Sequence, residues 1–257
     1  MTNTDTVIYY FSTTGNCLTT ARILAQQLNA KLVPFASLYP QDQIVVDTNR
    51  IGFVFPIYYG DMPYLVRNVI SKMIFTQKDP YIFAFSTYRG HQGDIAKRLD
   101  DLLSLKRYKL SLMFGIPMPG NSYLSSEAQI QETLKNQTQN ILSQICLITS
   151  KKTEDYRHLP NVKNSPMSVL SNMRKIIADD KCIGCGICQQ VCSMNNIQIC
   201  NHKAIINENC QTCLACFHWC PVEAISMSKE KEIFHRQKYH HPDVKLADII
   251  NEMNFNR

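Results

Sequence analysis

No apolar run in the sequence reaches the roughly 18–20 residues that cross a bilayer. The start, MTNTDT, lacks a basic segment followed by an apolar stretch, so no signal peptide is expected. Nothing in the chain forms a dense basic patch. The net charge of +6 is spread along it, which argues against nucleic acid as a partner. The lysine-bearing loop G-x4-G-K-[ST] is absent, and so is G-x-G-x-x-G. Those absences argue against a nucleoside triphosphate site and a nicotinamide dinucleotide site. No acid–base pair stands out as catalytic machinery. A soluble, cytoplasmic protein with no membrane span is therefore expected, and 257 residues leave room for one or two domains.

Cysteine is plentiful, with eleven in the chain, and it is not spread out. Nine of the eleven fall between Cys182 and Cys220. Clustering of this kind in an intracellular chain points to metal rather than to disulfides. Cys182, Cys185, Cys188 and Cys192 follow the spacing C-x2-C-x2-C-x3-C. Cys210, Cys213, Cys216 and Cys220 repeat it at an offset of 28, with Ile197 aligned to Ile225 and Pro221 after the last cysteine. Structural zinc prefers paired knuckles separated by a longer loop. Three thiolates two residues apart suit one face of a cubane iron–sulfur cluster instead. Cys200 lies outside the pattern and is expected to be a buried thiol or a position without a role. His218 and Trp219, inside the second motif, are expected to pack rather than ligate.

This stretch resembles the bacterial-type two-cluster ferredoxins. The resemblance implies that the fourth cysteine of each motif crosses to the other cluster. Cys182, Cys185, Cys188 and Cys220 would then hold one 4Fe–4S cluster, and Cys210, Cys213, Cys216 and Cys192 the second. Gly184 and Gly186 fit the small residues of that family, while Thr212, Leu214 and Ala215 fit less tightly. Ser193 stands where the family usually has proline.

The first 150 residues alternate between two periods. Apolar strand-like runs occur at Val7–Phe11, Lys31–Phe35, Ile51–Ile57, Tyr81–Ser86 and Lys109–Ile116, and helical patterns separate most of them. Pro63 suits a first helical turn, and Ser126 with Gln129 suits a capping box. Strands that read as continuous apolar runs between helices predict a parallel sheet covered on both faces. Residues 36–49 are expected to form a loop or one irregular turn. A polar connector with a short helix starting near Ser165 and Pro166 is expected over 151–180, and a helix at Val244–Met253.

After the first strand the chain reads Ser12-Thr13-Thr14-Gly15-Asn16-Cys17. Hydroxyls at a helix N-terminus favour an anion. With no lysine beside them, a single terminal phosphate such as that of FMN fits better than a triphosphate. Pro56-Ile57-Tyr58-Tyr59-Gly60-Asp61 follows the third strand and Thr87-Tyr88-Arg89-Gly90 the fourth. In a sheet of order 2-1-3-4-5 the loops after strands 1 and 3 meet at the switch point. This half resembles the flavodoxins. The resemblance implies FMN, with phosphate on residues 12–17 and ring contacts from the two later loops; Met118 to Asn121 are expected to border it. Cys17 departs from the usual threonine or serine and is expected to be a tolerated small residue. Arg89 is a second departure.

Together the halves resemble the flavodoxin–ferredoxin fusions of anaerobes. The implied division is an FMN domain at 1–150, a connector at 151–180, a small α+β ferredoxin domain with two 4Fe–4S clusters at 181–228, and a charged tail with a helix at 229–257. The implied role is electron transfer to redox protein partners. An FMN-dependent reductase of a small molecule, wired by the clusters, is the alternative, and an iron–sulfur redox sensor a more distant one. His240 and His241 in the tail are expected to be structural or solvent-facing.

Overall fold

The computed structural model describes residues 5–121, 125–160, 175–227 and 238–253. In chain order the sheet half contains β1 (Thr6–Tyr10), α1 (Asn16–Leu28), β2 (Lys31–Pro34), α2 (Phe35–Leu38), β3 (Ile44–Val46), β4 (Arg50–Pro56), α3 (Tyr64–Lys72), β5 (Met73–Phe75), β6 (Tyr81–Tyr88), α4 (Ile95–Ser104), β7 (Leu112–Pro117) and α5 (Glu127–Thr149). The cysteine-rich half contains β8 (Ile176–Ala178), α6 (Ile187–Gln190), β9 (Ile197–Cys200), β10 (Lys203–Ile206), α7 (Ala215–Trp219) and β11 (Ile225–Met227), and α8 (Leu246–Met253) follows.

Five strands form one parallel sheet in the order β2-β1-β4-β6-β7. Counting only these five, that is 2-1-3-4-5, the doubly wound flavodoxin-like arrangement. The central strands are buried on both faces, with Ile51, Phe53, Val54, Phe55, Ile82, Phe83 and Phe85 all fully enclosed. This is why β4 and β6 read as unbroken apolar runs rather than alternating ones. The capping box forms as expected: Gln129 N–H donates to Ser126 Oγ, and the Ser126 N–H donates to Gln129 Oε1.

Residues 36–49 depart from the expected loop. They contain most of α2 and then β3, which pairs in parallel with β5 from Ile44↔Met73 to Val46↔Phe75. Alternation of Ile44, Val45 and Val46 is the strand signal here: the outer two are buried and Val45 is exposed. Three residues are too short a run to stand out among polar neighbours.

The cysteine-rich half is a symmetric pair. β8 pairs antiparallel with β11, and β10 with β9. Adding 28 to β8 gives β10, and adding 28 to β9 gives the start of β11. The registers transform likewise: Ile176↔Met227 becomes Ala204↔Ile199. Positive φ angles repeat at the same offset, at Gly184 and Thr212, Gly186 and Leu214, and Asn195 and Glu223. One backbone is thus built twice, the first time with glycine where the turn is left-handed and the second time with Thr212 and Leu214.

The chain does not divide into four consecutive pieces. Past α5 it stays on the sheet half: Glu154 N–H donates to Ser111 O, and Met113 N–H to the Tyr156 hydroxyl. α8 returns to the same half, where Val244, Ile249 and Met253 join the main core and Arg22 of α1 pairs with Asp248 at 2.7 Å. The helix expected near Ser165 and Pro166 lies outside the described residues, as do 228–237 of the expected tail.

Candidate functional site

Three loops leave the C-terminal ends of β1, β4 and β6, and a fourth leaves β7. They enclose a cleft at the switch point with about 480 Å³ of empty space, open solvent included. Its walls include Ser12, Thr13, Thr14, Asn16 and Cys17 from the first loop, and Pro56, Ile57 and Tyr58 from the second. Thr87, Tyr88 and Arg89 come from the third and Met118 to Asn121 from the fourth. Of the residues expected to bind here, Gly15, Tyr59, Gly60, Asp61 and Gly90 do not line the cleft.

Four of those five have other places in the structure. Gly15 caps α1 with φ 96°, and a Cβ there would lie 2.8 Å from Val244 and 2.9 Å from His241. Tyr59 and Gly60 both have positive φ and form the tip of a tight turn closed by paired bonds between Tyr58 and Asp61, 2.8 and 2.9 Å. The Asp61 carboxylate accepts from Arg67 at 2.7 and 2.8 Å and sits 3.4 Å from Arg98. It ties the turn to α3 and α4.

The first loop has the donor set of an anion cradle. Ser12, Thr13, Thr14 and Asn16 are all buried. The Gly15 N–H turns inward to Ser12 Oγ. Among the described residues, the N–H groups of Thr13, Thr14, Asn16 and Cys17 meet no acceptor. Four free donors on a buried loop at a helix N-terminus fit a phosphate, because leaving them unmet would be costly. Tyr58 hydroxyl lies 3.0 Å from Thr13 Oγ1. Burial drives its phenol well above the usual range, so it stays a neutral donor.

Cys17 is fully enclosed, with its sulfur 3.1 Å from Thr87 Oγ1. Burial pushes its thiol up to about 12, outweighing the hydrogen bond from Thr87. A thiol held neutral at pH 7 is a packing group, not a nucleophile.

The eight motif cysteines ring two separate pockets. Cys182, Cys185, Cys188 and Cys220 line one, together with Ile183, Gly186, Ile199 and Pro221. Cys192, Cys210, Cys213 and Cys216 line the other, beside Met194, Leu214 and Ala215. The fourth cysteine of each motif therefore sits with the first three of the other. Backbone N–H groups point at sulfur in both: Ala224 to Cys220 and Asn196 to Cys192, each at 3.3 Å, and Ala204 to Cys182 and Thr212 to Cys210, each at 3.4 Å. Such bonds stabilise thiolate charge. Burial pushes the Cys188 thiol up to about 11 and the Cys213 thiol up to about 12. Among the described residues no three His, Cys, Asp or Glu side chains converge as a single-ion site. Cys200, expected to be a buried thiol or a position without a role, is exposed at the end of β9 because its strand position faces solvent.

The second pocket abuts the cleft. Asn121 lines the cleft while its Nδ2 donates to Cys213 O at 3.2 Å. His218 Nδ1 accepts from Tyr239 N–H, which leaves Nε2–H to donate to Asn121 O at 2.8 Å. Trp219 Nε1–H donates to Thr13 O at 2.8 Å. Ser193, in the place of a proline, accepts from Gln211, whose Oε1 accepts the Leu65 N–H at the start of α3. The serine thus helps dock the two halves. Motif reading placed Asn121 only at the border of the flavin and His218 and Trp219 only in packing, and it did not place Tyr239. Only the departure at Ser193 and the aromatic pair within the second cysteine motif hinted at this contact.

Residues 175–198 match the family described as 4Fe-4S binding domain. No curated protein shows significant similarity to the chain. Among solved structures, the general stress protein 14 of Treponema denticola in complex with FMN is 12% identical, covering 57% of this chain and 99% of that one at a TM-score of 0.40. The two-electron reduced flavodoxin of Megasphaera elsdenii is 14% identical over 52% of this chain and 98% of that one, TM-score 0.36. The rubredoxin oxygen:oxidoreductase of Desulfovibrio gigas is 14% identical over 57% of this chain and 36% of that one, TM-score 0.34. Among the described residues no helix is long and apolar enough to cross a membrane.

Proposed function

We infer that this chain, a flavodoxin-like domain joined to a ferredoxin-like one, is an electron-transfer protein that carries FMN in the cleft and a 4Fe–4S cluster in each cysteine pocket, and exchanges electrons with protein partners. The observation that supports this most is the shared wall. Asn121 belongs to the cleft and bonds the backbone of Cys213, a ligand candidate of the second pocket. Two redox sites that meet through one side chain suit electron exchange within the chain.

The N–H groups of Thr13, Thr14, Asn16 and Cys17 would hold the phosphate. Tyr58 and Tyr88, the tyrosines that line the cleft, would border the ring. Arg89 reaches the rim and bonds Ser125 at 3.4 Å, where its charge would favour an anionic ring. Bound FMN supplies one- or two-electron capacity and each cluster one electron. Among the described residues the cleft lining contains no carboxylate and no histidine. A substrate would find no strong side-chain acid there, which favours a carrier over a small-molecule reductase.

Anaerobic reductive titration of the purified protein tests the reading. Uptake of about four electrons per chain, with flavin and cluster absorbance both bleaching, is expected. Uptake of two or fewer would contradict it.

A further inference from the structure

The segment 238–244 sits on the far side of the anion loop and grips it at several points. The His241 N–H donates to Thr14 O at 2.7 Å. Tyr239 hydroxyl donates to Asn16 Oδ1 at 2.6 Å, while Asn16 Nδ2 donates to Pro119 O at 2.9 Å. The Asn16 side chain is thus fixed at both ends. Val244 fills the space that a Cβ on Gly15 would need. All of Tyr239, His241 and Val244 are buried.

The segment is itself anchored. Asp243 N–H donates to His241 Nδ1, so His241 Nε2–H donates to Gln137 Oε1 at 2.8 Å, and Gln137 Nε2 donates to Thr19 Oγ1 at 2.9 Å. This chain of neutral groups runs from the tail through α5 to the first turn of α1. On the other side Tyr239 N–H bonds His218, and His240 stacks on Trp219 with centroids 4.4 Å apart. Lys238 Nζ also donates to Cys220 O.

We propose that Tyr239 is a positioning residue for phosphate recognition: through Asn16 it holds the loop so that the free N–H donors face the cleft. The tail is then part of the flavin site without touching the flavin. The inference rests on the FMN reading above.

Its signature is selectivity between FMN and riboflavin, which differ by the phosphate alone. Iron-loaded protein stripped of flavin would be titrated anaerobically with each, following flavin fluorescence. Tyr239→Phe keeps the ring and removes the hydroxyl. It should weaken FMN about five- to tenfold, the scale of one hydrogen bond, and leave riboflavin within about twofold. Arg22→Ala cuts the Arg22–Asp248 pair that holds α8 and should leave the FMN-to-riboflavin ratio unchanged. Equal weakening of both flavins in Tyr239→Phe, or no weakening of FMN, would overturn the positioning role. A parent protein that binds neither flavin would overturn the FMN reading itself and with it this inference.

Discussion

Thr212 and Gly184 occupy the same position in the two halves of the repeat, with φ of 56° and 67°. A β-branched residue in the left-handed region costs about 1–2 kcal/mol, and glycine gives back roughly 0.5–1 kcal/mol through its looser unfolded chain. Thr212→Gly should therefore stabilise the loaded protein by a net of about 0.5–1 kcal/mol, read as a higher denaturant midpoint for loss of cluster absorbance. A lower midpoint would mean that the threonine side chain contributes more than its backbone strain costs. The N–H that Thr212 donates to Cys210 is backbone and survives the change. At this scale the sequence was readable where residue type meets a strict backbone demand: Gly15, Gly184 and Gly186 all have positive φ, as their motifs require. The ion pairs of the Asp61 side chain were not readable in this way, because neighbourhood in sequence does not say which way a carboxylate turns. Two arginines six and thirty-seven residues further on claim it.

At the scale of elements, α8 carries an unusual burden. Glu252 is buried in it, and among the described residues its Oε1 meets no hydrogen-bond partner. Burial raises its carboxyl well above the ordinary value. Arg22 lowers it and Asp248 raises it further, and Tyr10 lies within reach of its charge. A group whose folded pKa is raised contributes stability that is complete below its unfolded pKa and is lost as pH climbs toward the folded one. Glu252 should therefore weaken the fold progressively above about pH 4.5. His241 works in the opposite direction, since burial lowers its pKa and its stabilising effect fades only on acidification below about 6.5. His241 is common to parent and variant, so its titration cancels when the two are compared. Glu252→Gln should gain stability over the parent as pH rises from about 4.5, by up to about 1.4 kcal/mol per pH unit until the folded pKa is reached. Denaturation midpoints of both proteins at pH 5, 6 and 7 would check this; a constant or shrinking gap would refute it.

The elements themselves were legible to different degrees, for physical reasons. The five main strands and the capping box at Ser126 are strong local signals, because periodicity and cap chemistry are written within a dozen residues. β3 and β5 were missed because each is three residues long and is held by its partner rather than by its own pattern. α8 was legible as a helix, but its destination was not. Nothing local in Tyr239 or His241 announces a bond to Asn16 or Thr14, more than two hundred residues away.

At the scale of the whole molecule, described residues of the two halves meet beside the cleft. Asn121, His218, Trp219, Ser193 and Gln211 join the cleft side to the second cysteine pocket. Cys185 of the first pocket is exposed. The duplicated spacing marked out the eight cysteines, and their expected grouping came from the resemblance to two-cluster ferredoxins. The contact between the halves had no such repeat to reveal it.

The central claim is that one chain carries flavin and two clusters together. The most direct measurement is the flavin, iron and acid-labile sulfide content of anaerobically purified protein. The account predicts one FMN with about eight iron and eight sulfide per chain. Iron and sulfide at that level with no flavin would contradict it, since the buried donors of Thr13, Thr14, Asn16 and Cys17 would then have no phosphate to receive.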